Sequence, residues 1–455
     1  MSTAAVVDFT YQYPFASEVV QINLGVGVRL ATCGASQEHP HFFDGRLREP
    51  RMVRDMLLVL HDVVRTHFFQ PRPAQLDPVV TSSEGMLRFE GFSGCCGVYA
   101  RVDLSAHAFD REIQGRGTTN VDFNAPMRSA LTRLRDQDEA WLSVGGEGLA
   151  LRQGAEVVVE KKVKLPVRWI KGFSEVQAYQ PALRLKLEVS ADEARRFVRG
   201  LPRGGAKRIA YVTQTGRALR LSMVKTREGI TISGTDRIRV LEPLLGAARS
   251  LRIWADDEAG TSGWEVTYPT GRFFLMLSPE LYRGFSGEGQ VLERLAGRRW
   301  QEALPTVQNE LAWQAEIDSA AIAGKTGLEV EEVEAALAVL GSRGLAGFDV
   351  TSGRYFHRQL PFDLAQVESL QSRLKDARRL LDEGRVELLT RTVATEADVA
   401  VGGTGTTHHV RLRPDGDRCT CPWFNKYQGQ RGPCKHILAA RIFVEEHEAS
   451  EEEQP

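Results

Sequence analysis

Cysteine is scarce in this chain: six in 455 residues. Folds stapled by disulfides are far richer and far shorter, so a disulfide framework is excluded. A charge excess of either sign is missing too. Fifty-eight Lys/Arg against 59 Asp/Glu leave a formal net charge of −1, and such a balance says nothing about partners. No run of about 18 uninterrupted apolar residues occurs, which removes the hydropathy signature of a membrane-spanning helix. The start of the chain lacks the basic-plus-apolar pattern of a secretory signal. The expectation is a soluble, cytoplasmic protein.

Catalytic signatures are missing as well. The chain has no Walker A loop, no G-x-S-x-G elbow, no H-E-x-x-H and no G-x-G-x-x-G followed by an acidic residue. Gly145-Gly146-Glu147-Gly148 and Ser286-Gly287-Glu288-Gly289 are glycine-rich but lack the Lys and Ser/Thr of a phosphate loop. They read as turns, and the chain reads as a non-enzyme.

What is present is concentrated at the C-terminal end. Cys419, Cys421, Cys434 and His436 spell C-x-C, twelve intervening residues, then C-x-H. Three thiolates and one imidazole are a complete tetrahedral set for one Zn²⁺. Val410-Arg411-Leu412 and a Pro414-Asp415-Gly416 turn lead into the first pair. With Cys419 and Cys421 on a strand at i and i+2, both side chains share a face. The run from Cys434 to His447 reads as a helix whose first turn presents Cys434 and His436. Together these make a small ββα zinc module. His408 and His409 compete as ligands, but the C-x-H pair favours His436. Three reduced core cysteines and a surface histidine are the plainer alternative. With four protein ligands no position stays open for water, so the zinc is structural. Lys426, Arg431 and Lys435 offset the charge of three thiolates and one neutral imidazole.

The motif, with Cys421-Pro422-Trp423 and Gly432-Pro433-Cys434-Lys435-His436, resembles the SWIM zinc finger family over residues 405–445. That family implies DNA or protein binding without choosing between them. Three further stretches are similar to bacterial SWIM proteins of this length: His39–Gly45, Gly117–Asp122 and Ser278–Gly287. This resemblance implies partners, a MoxR-type ATPase and a von Willebrand A-domain protein, in a multi-component ATPase system.

The fold class expected for the rest is α+β, built on antiparallel sheets. Residues 1–78 form an N-terminal α+β segment with a helix from about Pro50 to Phe69, where Val53, Met56, Leu57, Leu60, Val64 and Phe68 recur at helical spacing. Pro40–Gly45 reads as an aromatic loop. Residues 79–300 carry two units of similar element order, one from Tyr99 and one from Leu183, loosely resembling sliding-clamp domains. Phe92–Tyr99 reads as a strand, so the vicinal Cys95-Cys96 pair points to opposite faces and reads as small buried residues.

Residues 304–360 resemble a winged helix, with three helices and a β-hairpin wing around Thr351–Arg354. Its third helix opens on Glu329, Glu331, Glu332 and Glu334, which would repel a phosphate backbone and so favour a protein contact. Residues 361–390 read as a helical spacer, 391–447 as the zinc finger and 448–455 as an acidic disordered tail.

Between Lys161 and Arg227 the chain holds 17 Lys/Arg and four Asp/Glu. Lys161, Lys162, Lys164, Arg168, Lys171, Arg195, Arg196, Arg199 and Arg203 are the candidate phosphate contacts. The same stripe is equally readable as a solvated face or a dock for an acidic partner. Trp169 and Phe173 are either base-stacking groups or core. The functional expectation is a non-catalytic zinc protein that binds nucleic acid, partner proteins or both. A pure protein adaptor is the alternative.

Overall fold

The computed structural model describes residues 9–11, 18–22, 25–30, 41–66, 68, 78–113, 115–120, 125–137, 139–145, 163–165, 167–204, 208–280, 284–287, 289–292, 299–360, 371–393 and 396–452. Mixed helix and antiparallel sheet dominate, as the composition of strands and helices along the chain suggests. The centre is an eight-stranded antiparallel sheet. Its strands are β1 (Val79–Ser83), β2 (Met86–Phe92), β3 (Val98–Ser105), β4 (Gly117–Asn120), β5 (Arg184–Ser190), β6 (Ser250–Asp256), β7 (Thr261–Thr267) and β8 (Gly271–Leu277).

The order is β5-β6-β7-β8-β3-β2-β1-β4, and it is symmetric about the β8–β3 pair. Each half is a three-stranded meander, β1–β3 or β6–β8, flanked by one outer strand. Each outer strand is followed by a helix: α2 (Ala125–Arg133) after β4 and α4 (Ala191–Gly200) after β5. Each meander is preceded by helical structure: α1 (Pro50–Arg65) before β1, and α5 (Asp236–Arg239) with a 3-10 turn over Glu242–Gly246 before β6. The outer strand comes last in the first half and first in the second. The repeat drawn from the sequence therefore starts too late, at β3 rather than at α1. Two of its strands, 148–152 and most of 156–163, lie outside the described residues, and its helix at 106–113 is a single 3-10 turn, Ala106–Ala108.

Strand parity separates the two faces of the sheet. Leu87, Phe89, Val102, Leu104, Phe273 and Leu275 face α1 and α4, whose own buried stripes (Val53, Met56, Leu57, Leu60; Ala194, Phe197, Val198) complete a dry core. The opposite face carries Arg88, Glu90, Arg101, Asp103, Glu265 and Arg272, a set that β-propensity gives no reason to bury. It is nonetheless sealed, by α3 (Val167–Tyr179) and by a module over residues 299–360.

That module contains α6 (Arg299–Asn309), α7 (Ser319–Thr326), α8 (Val330–Ser342) and a hairpin of β9 (Ala346–Asp349) and β10 (Arg354–His357). Ile317 bridges to Tyr355 as a one-residue third strand. Asp318 caps α7 by accepting the Ala321 N–H at 3.0 Å, and Gly327 ends it at φ 77°, both ordinary stop signals.

Asp349, at the end of β9, is driven into the charged face of the sheet. Arg101 Nη2 reaches its carboxylate at 3.1 Å and Arg88 Nη2 at 3.2 Å, and Arg272 also pairs with it. The same three arginines hold Asp103, at 2.9 Å from Arg101, 3.3 Å from Arg88 and 2.8 Å from Arg272. Around this cluster Arg358 pairs with Glu90, which also accepts the Tyr99 hydroxyl at 2.6 Å, and Thr351 at the hairpin tip donates to Glu265. Burial alone would raise the Asp349 and Asp103 carboxyls, but Arg101, Arg272 and Arg88 outweigh it and hold both below the usual carboxylate range.

Several sequence expectations change. His41–Arg46 is a strand, not an aromatic loop. Cys95 and Cys96 lie in the turn between β2 and β3, with Cys96 at φ 55°. The presumed spacer holds α9 (Ser372–Asp382), whose Leu374, Ala377 and Leu380 are buried, and it packs on the zinc module rather than spanning a gap. The acidic tail continues a helix as far as Glu452, because Glu-rich sequence is good helix former once a buried first half nucleates it.

Candidate metal centre

The C-terminal module is a four-stranded antiparallel sheet, larger than the expected ββα unit. Its strands are β11 (Val386–Val393), β12 (Glu396–Gly402), β13 (Thr407–Leu412) and β14 (Arg418–Cys419), in sequential order. The short α10 (Pro422–Tyr427) follows, then α11 (Lys435–Glu452), which packs across β11–β13 with Ile437, Leu438, Ala440 and Val444 buried.

Each ligand sits where an element begins or ends. Cys419 closes β14. Cys421 is not on the strand; it is the N-cap of α10 and its sulfur accepts the Phe424 N–H at 3.3 Å. Cys434 plays the same part ahead of α11, accepting the Ile437 N–H at 3.4 Å. Cys419 accepts the Cys421 N–H at 3.4 Å. Three backbone N–H groups therefore point at three sulfurs, two of them at helix N-termini, where a thiolate is favoured.

The three sulfurs and one nitrogen of His436 all lie within 4.8 Å of one another, and all four residues are buried. A tetrahedral zinc with sulfur ligands about 2.3 Å away needs donor atoms about 4 Å apart. Hydrogen bonds from Cys419 and Cys434, joined by His436 and Phe424, pull the Cys421 thiol far below its ordinary value, while Cys419 is held far above it as donor to both other sulfurs. At Cys434 the hydrogen bond with Cys419 lowers the thiol, but the one with Cys421 and desolvation outweigh it and raise it to about 11. Proton sharing of this kind is what a metal replaces.

His436 Nδ1 is 3.9 Å from the Cys419 sulfur. One imidazole nitrogen gathered with three sulfurs, all buried, is the donor set a zinc ion satisfies. The residues fit one Zn²⁺, held by Cys419, Cys421, Cys434 and His436, with every ligand supplied by protein. His408, the competing candidate, packs tilted against His436, with ring centroids 4.4 Å apart and planes at 45°. His409 lies on β13 outside the set. Of the basic side chains expected near the thiolates, Arg431 and Lys426 lie against the Tyr427 ring, 4.3 Å and 5.2 Å from its centroid.

The other candidates disperse. Trp169 and Phe173 are fully buried, in edge contact with each other and with Phe92, so neither stacks on a base. Lys161 and Lys162 lie outside the described residues. Lys164 is on a short strand paired with Thr10, Arg168 is half-buried, and partial desolvation lowers the Lys171 pKa against the opposing pull of Glu175.

Arg195, Arg196 and Arg199 remain at the surface of α4, paired with Asp192 at 3.1 Å, Glu193 at 2.8 Å and Glu242 at 3.2 Å; Arg203 is exposed just beyond. In α8, Glu329 and Glu332 are consumed by a reciprocal capping box, leaving Glu331 and Glu334 exposed. Sequence reasoning missed the arginines of α1 and α2 (Arg51, Arg54, Arg65; Arg128, Arg133). They sit opposite the apolar stripe of α1 and along α2, and nothing local joins those segments to α4.

The model for the SWIM zinc finger matches residues 408–441, and with the ligand cluster it identifies the C-terminal module as a SWIM zinc finger. No curated protein matches the chain. Among solved structures, the PCNA2–PCNA3 complex from Sulfolobus tokodaii is similar at 8% identity, covering 52% of this chain and all of that one, with a TM-score of 0.35. At that score the likeness decides neither fold nor function. Among the described residues no helix is long and apolar enough to cross a membrane.

Proposed function

We propose that this chain, which ends in a SWIM zinc finger, is a non-catalytic recognition protein that binds nucleic acid, with the zinc module as a rigid structural knob. One observation carries the reading. The main sheet is sealed on its charged face, and its other face is covered by a helix layer whose outer surface is rich in arginine. α2 packs on α1, α1 on the Glu242–Gly246 turn, and that turn on α4.

These four elements hold eight arginines, no lysine and five carboxylates. The guanidinium fork suits phosphate oxygens bidentately, which a lysine does not. Several of these arginines are oriented by carboxylates, as Arg128 is by Asp62 at 3.1 Å, so the forks are held in place before any ligand arrives. Binding of this sort is independent of sequence and weakens steeply with salt.

The test is retention on duplex DNA, single-stranded DNA and RNA over a salt series. Reversing Arg195, Arg196 and Arg199 to Glu should abolish it, and adding Arg128→Glu to a single α4 reversal should deepen the loss. Unchanged retention after the triple reversal would remove the helix layer from the reading.

A second reading, a pure protein adaptor, is favoured by α8. Seen as the third helix of a winged helix, α8 has its C-terminal half, Ala336–Ser342, buried between its own module and α3, where Ser174 Oγ donates to the Ser342 carbonyl at 2.8 Å. The strands of the wing are buried as well, and Thr351 at its tip donates to Glu265. What α8 turns outward is its acidic first turn, Glu331 and Glu334 beside Val330. The MoxR-type ATPase and von Willebrand A-domain protein implied by the family resemblance are the partners this reading takes, in the cytoplasm. A pull-down with either protein that ignores nuclease and fails for Glu331→Lys with Glu334→Lys would favour it.

A further inference from the structure

Two surfaces of this chain are left over by the nucleic-acid reading, and each has what the other lacks. The first is a cleft of about 640 Å³ between the hairpin, the start of α7 and the start of α8. Its floor is apolar: Ile317, Phe348 and Tyr355 are buried, and Val330 is 36% exposed at the lip. Two arginines also line it, but both are engaged. Arg354 reaches Asp318 at 3.3 Å, and Arg184 donates to the Pro181 carbonyl at 2.7 Å and the Leu183 carbonyl at 3.1 Å. Glu334 is the open carboxylate in the wall, with Glu331 exposed on the same helix, while Arg184, held by backbone carbonyls alone, keeps its positive charge on the Pro181 side.

The second surface is the end of the small sheet formed by Ile209–Thr215, Ala218–Ser222 and Ile230–Ser233. Met223 and Val224 stand out there at 54% and 73% exposure, the most exposed of the large hydrophobic residues described. The turn that carries them is ordered: Ser222 Oγ donates to the Val224 carbonyl at 2.8 Å and accepts its N–H at 3.1 Å. Lys225 and Arg227 follow, both exposed. A fixed apolar tip with a basic shoulder is costly to leave in water and is the shape of an anchor.

We infer that the Met223–Val224 tip of one copy docks in the Val330–Phe348–Tyr355 cleft of a second copy, with Lys225 and Arg227 against Glu334 and Glu331. The two patches are different surfaces of one chain, so the contact is heterologous and propagates head to tail. Apolar insertion supplies the adhesion, and the charges fix which way the tip enters. This contact uses neither the arginine helix layer nor the metal centre, so it stands or falls apart from the nucleic-acid reading.

Sedimentation velocity of the full-length protein tests it. The wild type should show a sedimentation coefficient that climbs with concentration beyond the monomer. Val224→Glu, which spoils the tip, and Val330→Asp with Glu334→Lys, which spoils the cleft, should each be monomeric. Every one of these positions is exposed, so folding is preserved and circular dichroism should match the wild type. Mixing the two variants pairs one intact cleft with one intact tip, and should give a 1:1 dimer and nothing larger. A wild type that stays monomeric, assembly that survives Val224→Glu, or a mixture that stays monomeric would each overturn the inference.

Discussion

Two buried polar clusters hold this molecule together, and they were not equally easy to foresee. The metal centre gathers four ligands from an eighteen-residue stretch, Cys419 to His436. The charge cluster gathers Arg88, Arg101, Asp103, Arg272 and Asp349, partners that stand up to 261 positions apart. Both fasten a small element: one closes the zinc module, the other pins the hairpin to the sheet. The lesson is about range. A site built from neighbours in sequence writes its geometry into spacing, while a site built across strands leaves only charged residues at strand positions.

Removing the zinc should have the largest effect, because binding free energy at such a site is folding free energy, on the order of 10 kcal/mol. Cys419→Ser with Cys434→Ser should lose the metal by mass spectrometry and erase amide protection over residues 386–452. The eight-stranded sheet should keep its protection. If the sheet also melts, the two clusters are one cooperative unit and the contrast fails.

Next comes Asp349→Ala, which leaves three buried guanidinium groups sharing one carboxylate. Stranding buried charge costs about 3–5 kcal/mol, read as a lower thermal midpoint of the body with zinc content unchanged. Asp349→Asn, which keeps the shape, should cost less.

Acid should separate the two clusters along the pH axis. Asp349 and Asp103 are held below their ordinary range in the fold. Their contribution is therefore complete above about pH 4, the unfolded value, and disappears as pH falls through the lower folded values. Zinc ligands compete with protons at imidazole and thiol, which ordinarily titrate at about 6.5 and 8.5. On acidification the metal should leave first and the hairpin later, visible as two steps in tryptophan fluorescence and metal release. A single step would count against separate clusters.

The smallest effect expected is at the seam between the two regions. Gly432 has φ 71°, and a Cβ there would lie 2.1 Å from the Gly289 carbonyl oxygen. Gly432→Ala should cost roughly 1–2 kcal/mol through strain and overpacking and loosen the zinc module without releasing the metal.

The same range argument sorts the rest of the fold. α1 is legible because Val53, Met56, Leu57 and Leu60 repeat within one helix, and the three helices and hairpin after residue 299 have local caps such as Asp318 and Gly327. The sheet order was not legible. β4 follows its meander and β5 precedes its own, so equivalent strands stand at different places in the chain, and scanning for like order misaligns them. The charged face was not legible for another reason: Arg88 and Glu90 on β2, and Arg101 and Asp103 on β3, alternate as on a solvated face until a distant hairpin supplies Asp349. Trp169 and Phe173 were ambiguous since i,i+4 aromatics serve a core or a base equally well. The zinc ligands were read correctly, although Cys421 works as a helix cap and not as a strand residue.

The seam also joins what seemed separate. Glu175 of α3 accepts the N–H groups of Gln290 and Val291, at 3.0 Å and 3.5 Å, immediately beyond the Gly289 carbonyl on which the Gly432 loop rests. One residue earlier, Ser174 grips the end of α8. The sulfur cage and the arginine knot thus hang from opposite sides of a single beam, one turn of α3. Stripping the ion should register at the Gln290 and Val291 amides as faster solvent exchange, well outside the coordination sphere.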